Sequence, residues 1–136
     1  MDFTNLPQNW PELPIHESER VADVLDLLLG ERDRKQRALL VALCDDTGRL
    51  LQPCVIDELP RHLGHEDKVQ LLEPLVLPMR AAGGCAILLA VGRADGLSLT
   101  DDDHDWAAAA REVCGPEVSL LGVHVVTLHG SRQVAA

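Results

Sequence analysis

Aromatic residues are almost absent from this chain: Phe3, Trp10 and Trp106 are the whole set, and there is no tyrosine. A core without rings has to be built from Leu, Val and Ala, and no aromatic platform exists on which nucleic-acid bases could stack. Positive charge is scarce as well. Twelve Lys and Arg face 22 Asp and Glu, leaving a formal charge of −10, which repels a polyanionic partner. The most basic segment, "ERDRKQR" (31–37), is mixed in sign, so a nucleic-acid role is not expected. No apolar run approaches the roughly 20 residues that span a bilayer. The opening "MDFTNLPQNWPELP" carries acid and proline where a secretion signal would carry a basic and then an apolar region. Cys44, Cys54, Cys85 and Cys114 are scattered, with neither CxxC nor C-x-C spacing, and three of them sit in or beside apolar stretches, where free thiols behave as small hydrophobes. These features predict a reduced, cytoplasmic protein with no membrane segment.

What is present fits one ordinary domain of 136 residues. Residues 1–16 contain Pro7, Pro11 and Pro14 and no periodicity, and read as an extended arm, either laid on its own domain or strapped across a second copy; residues 17–136 form the domain. Val21, Val24, Leu25, Leu28 and Leu29 recur at helical spacing after a suitable N-cap at Ser18, and Gly30 can close that helix. "ALLVALCDDTGRLLQPCVID" (38–57) reads as a β-hairpin around Asp45–Gly48, with Gly48 placed for a positive φ. Its first strand is apolar on both faces and hence interior; Pro53 makes the second an edge strand or a bulged one. "EDKVQLLEPLVLPMRAAGG" (66–84) is helical in pattern but holds Pro74 and Pro78, which predicts two short helices or one sharply kinked one. "CAILLAV" (85–91) is a buried strand, and "VSLLGVHVVTLHG" (118–130) makes one or two more, with Gly122 a break point. The order α-β-β-α-β-α-β predicts an α/β (α+β) fold: a mixed β-sheet flanked by helices in three layers.

The richest stretch chemically is "LLAVGRADGLSLTDDDHDW" (88–106). Thr100 and Asp103 match the capping box [ST]-x-x-[DE], and carboxylates in a first helical turn suit the positive end of the helix dipole. Trp106, Ala109, Ala110 and Val113 then follow at helical spacing up to Gly115-Pro116. As a metal site the run is poor, because neighbouring helix positions point about 100° apart and four consecutive acids cannot meet on one ion. The alternating spacing of a calcium loop is also missing. A metal would need Asp103 joined by His104 and His124, or by His129. His62 and His65 in "RHLGHED" form another local suggestion, equally readable as a polar loop before a helix. Ser98 lacks a nucleophile elbow, and "GRADG" (92–96) lacks phosphate-loop spacing.

The segments "ILLAVGRADG", "LSLTDDD", a helix and "LLGVHVVTLHG" together resemble the JAB/MPN (JAMM) domain, in particular its RadC-like branch. That family runs from an apolar strand into H-x-H-P-x-G, then S-x-x-D and a helix, and closes on a strand beginning like Leu120-Leu121-Gly122-Val123. The likeness covers about Arg37 to His129. It implies a zinc site in which two histidines and an aspartate hold the ion, a glutamate acts as base and the serine stabilises the oxyanion. Here the histidine positions fall on Val91 and Arg93, the serine position on Thr100, and only Asp103 is retained; Glu58 stands near the glutamate position. The nearest alternative for this element order, a deaminase-like fold, lacks its own H-x-E and P-C-x-x-C here. The resemblance therefore implies a pseudoenzyme: a non-catalytic domain with no cofactor, acting on protein partners, including its own copies as a homo-oligomer, or on a small ligand. The loop Val91–Thr100 would be its binding surface, with Arg93 and Asp95 as polar anchors. The competing expectation is a metal-dependent hydrolase using Asp103 and nearby histidines.

Overall fold

The computed structural model describes residues 10–16, 18–94 and 96–135. They form an α+β fold with four α-helices and a five-stranded mixed sheet. The elements are α1 (Ser18–Leu28), α2 (Glu31–Gln36), β1 (Ala38–Asp45), β2 (Leu50–Ile56), α3 (His65–Ala82), β3 (Cys85–Gly92), α4 (Asp101–Cys114), β4 (Val118–Thr127) and β5 (Gly130–Ala135). In space the strands run β2-β1-β3-β4-β5, and β3 and β4 are the parallel pair, joined through α4.

Strand alternation distributes the core over two layers. Leu39, Val41, Ile87, Leu89 and Val91 project to one face, where Leu72 and Val76 of α3 and Trp106, Ala110 and Val113 of α4 cover them. Leu40, Ala42, Leu88 and Ala90 project to the other, under Val24, Leu25 and Leu29 at the α1 side. Ile15 is fully buried in that second layer, and its N–H donates to the Gly48 carbonyl at 2.9 Å, so this part of the N-terminal arm lies on its own domain. Residues 1–9 lie outside the described residues. Gly48 takes φ +87, and a Cβ there would stand 2.6 Å from the His16 ring, which is why the β1–β2 turn requires glycine.

The expected hairpin, the interior position of β1 and the edge position of β2 with Pro53 are all present. Four details differ from expectation. The charged segment after Gly30 is a separate helix, α2; its Arg34 donates to the Leu29 carbonyl at 2.9 Å and the Thr127 carbonyl at 3.3 Å, binding the end of the α1 segment to β4. Residues 65–82 form a single helix that runs through both prolines. Pro74 and Pro78 are four apart on the exposed side, so the carbonyls they leave unbonded, on Gln70 and Pro74, are open to water, while Lys68, Leu72, Val76 and Met79 make the buried stripe. β4 passes Gly122 unbroken, with a register shift where Ile87 and Leu88 pair to it. An additional edge strand, β5, follows the turn at Leu128-His129; its Ser131, Arg132 and Gln133 carry no apolar pattern that would announce it.

Candidate functional site

Register creates the site. The antiparallel pairing sets Ala38 opposite Gly92, so the residues just outside, Arg37 before β1 and Arg93 after β3, emerge side by side at one end of the sheet. Ile56 pairs with Leu39, which brings the β2–α3 connection to the same end, where the Leu59 N–H donates to the Arg37 carbonyl at 3.0 Å. Arg37, which accepts this bond, and Glu58, which precedes its donor in sequence, are the two non-glycine residues with positive φ among the described residues. The first turn of α4 closes the third side. Between them is an open cleft of about 550 Å³, lined by Arg37, Arg61, His62, Leu63, Gly64, Arg93, Thr100, Asp102 and Asp103. Its position, outside the carboxyl end of a strand in a βαβ unit, is the usual place for a ligand in an α/β sheet.

The capping box forms as the sequence predicts: the Asp103 N–H donates to Thr100 Oγ1 at 3.1 Å and the Thr100 N–H to Asp103 Oδ2 at 2.9 Å. Asp103 has a second task. It is 1% exposed and pairs with Arg93, itself 3% exposed, whose Nη2 lies 2.9 Å from Oδ2 and whose Nε lies 3.4 Å from Oδ1. Arg93 also donates to the Gly96 carbonyl at 2.6 Å and the Ser98 carbonyl at 2.9 Å, so one guanidinium organises the loop from β3 to α4. Arg132 of β5 holds the same loop through the Leu97 carbonyl at 3.3 Å. Asp95, expected as a polar anchor, lies outside the described residues.

Two other acids of the run grip cations as well, and capping alone does not account for them. Asp102 and Asp105, three apart and hence on one side of α4, both bind the buried ammonium of Lys68 on α3, at 2.6 and 2.7 Å. Lys68 Nζ also stands 5.4 Å from the centre of the Trp106 ring. Burial works to lower the pKa of this ammonium, but the two carboxylates outweigh it and hold it above the usual lysine value. Asp102 reaches Arg37 at 3.3 Å, and Asp105 reaches His65 Nδ1 at 2.7 Å. The run thus meets three basic side chains from distant parts of the sequence.

Of the residues expected at a vestigial zinc site, Arg93, Thr100 and Asp103 converge on the cleft, and Val91 is buried in the layer beneath α4. The donor set does not fit zinc: Val91 offers hydrocarbon, Arg93 a cation, and both oxygens of the one carboxylate are already bonded. Asp103, His104 and His124 are not gathered together, and among the described residues no group of three or more His, Cys, Asp or Glu could hold a metal ion. His104 is exposed. His124 pairs with Ala90 on the opposite face of the sheet, where burial pushes its pKa down to about 4. The four cysteines are free; burial raises Cys44 to about 12 and Cys114 to about 11, so neither supplies a thiolate at neutral pH. No helix among the described residues is long and apolar enough to cross a membrane.

Arg37, Arg61 and Lys68 were not singled out from sequence. A lone Lys in an apolar helical stripe, four before Leu72 and eight before Val76, was the available signal for Lys68. The chain matches no protein-family model, no curated protein and no solved structure.

Proposed function

We propose that this chain is a non-catalytic binding module on a JAB/MPN-like scaffold, a cytoplasmic pseudoenzyme that takes a small ligand or a protein partner, a second copy of itself included, at the cleft beside α4. The observation that supports this most is the Arg93–Asp103 pair. Where the resembled family would place a divalent cation against the aspartate, this chain places a covalently attached monovalent one, at 2.9 Å and out of water. A guanidinium has no open coordination position and cannot activate a water molecule, so the residue that fills the charge requirement also removes the hydrolytic chemistry. The surrounding fold is retained because the pair keeps the cap of α4 and the β3–α4 loop in place.

Elemental analysis tests the reading. Purified chain, loaded with zinc and desalted, is expected to retain no stoichiometric metal. About one zinc per chain, lost in Asp103→Asn, would replace this proposal with the metal-dependent hydrolase.

A further inference from the structure

The cleft is lined by more cationic than anionic side chains, although the protein as a whole is strongly acidic. Three arginines, Arg37, Arg61 and Arg93, face two carboxylates in its wall, Asp102 and Asp103. Both carboxylates are already engaged: Asp103 by Arg93, and Asp102 by Lys68 and Arg37. One further carboxylate, that of Asp67, stands at the rim beside Gly64. The arginines are not equally committed. Arg93 is saturated by Asp103 and two carbonyls. Arg37 makes one long side-chain contact, 3.3 Å to Asp102, and its buried Nε has no acceptor. Arg61 is exposed and forms no hydrogen bond or ion pair with any described residue.

An arginine left without a carboxylate, beside a second one underused, in a concave site with an imidazole next to it, is a fork waiting for planar or tetrahedral oxygens. Arg37, which lines the cleft, takes a positive backbone φ of 58°, a conformation that side-chain-bearing residues rarely adopt. The space is far larger than an inorganic ion requires, and Leu63 adds an apolar wall, so the charged group would be the handle of a larger organic molecule.

We infer that this cleft binds the oxyanion of a small organic molecule, a phosphate or carboxylate group received by Arg61 and Arg37 with His62 beside them. The inference rests on the binding-module reading and gives its ligand a chemical class. It also revises the expected anchors: Arg93 shapes the site, and Arg61 and Arg37 meet the ligand.

The test is an amide NMR titration of the full chain with inorganic phosphate and, separately, with acetate, against chloride at constant ionic strength. Saturable shifts confined to Arg37, Arg61–Gly64 and the 100–103 turn are expected, the two arms ranking phosphate against carboxylate. Arg61→Glu, an exposed substitution, should weaken binding at least about tenfold. Arg49→Glu, the same charge change at the far end of the sheet, should leave it unaltered. Shifts that never saturate, that fall elsewhere, or that respond equally to the two variants overturn the proposal. If neither oxyanion binds and the chain still retains no zinc, the oxyanion assignment falls while the binding-module reading stands; zinc held at Asp103 fells that reading instead.

Discussion

Replacing Arg93 by methionine keeps most of the side-chain volume and removes the charge. The change deletes both contacts to Asp103 and the bonds to the Gly96 and Ser98 carbonyls. Asp103, 1% exposed, then keeps only the Thr100 N–H, a buried carboxylate with no countercharge. Removing one partner of a buried pair costs about 3–5 kcal/mol, a large part of the roughly 5–15 kcal/mol that stabilises a domain. With a urea slope of about 2 kcal/mol per molar, the midpoint should fall by roughly 2 M. The companion change Asp103→Asn keeps an oxygen for the cap and discards the charge. Combined with Arg93→Met it should recover much of the loss, because a buried amide is cheaper to leave partly satisfied than a buried carboxylate. The cycle of four proteins should therefore give a coupling of about 2 kcal/mol or more. An Arg93→Met loss below about 1 kcal/mol at unchanged slope, or strict additivity, would refute the argument that this pair replaces a bound cation.

Two further expectations concern histidines on opposite faces of the sheet. His124 has a folded pKa of about 4 against an ordinary 6.5, because burial disfavours its cation. Its neutral form is favoured by the fold, so its contribution is complete above about pH 6.5 and is lost as pH falls towards 4, amounting to about 3 kcal/mol. His124→Leu should flatten this part of the stability–pH curve, read as the difference from the parent chain so that the common carboxylates cancel; parallel curves would contradict the burial. His65 is shifted the other way, raised mainly by its hydrogen bond to Asp105. Its contribution is present below its unfolded pKa and disappears as pH rises through the higher folded value. Imidazole NMR titration should place His65 above 6.5, and Asp105→Asn should bring it down; an unmoved titration would mean that the α3–α4 bridge is not formed in solution.

How much of this was legible in the sequence depended on the distance over which each interaction acts. The α4 cap was readable because Thr100 and Asp103 are three residues apart and each satisfies the other's backbone. The turn at Gly48, the interior strand β1 and the edge strand β2 were readable because side-chain alternation, proline and glycine act within a few residues. Runs such as "ALLVALC" and "CAILLAV" determined the three-layer α+β arrangement, since a strand apolar on both faces has to be covered on both. Only tertiary structure decided what the acidic run binds. Asp102 meets Arg37 across 65 residues and Lys68 across 34, and no local pattern encodes either contact. Strand register set Arg37 beside Arg93, and with that one pairing a string of capping carboxylates became the wall of a cationic cleft.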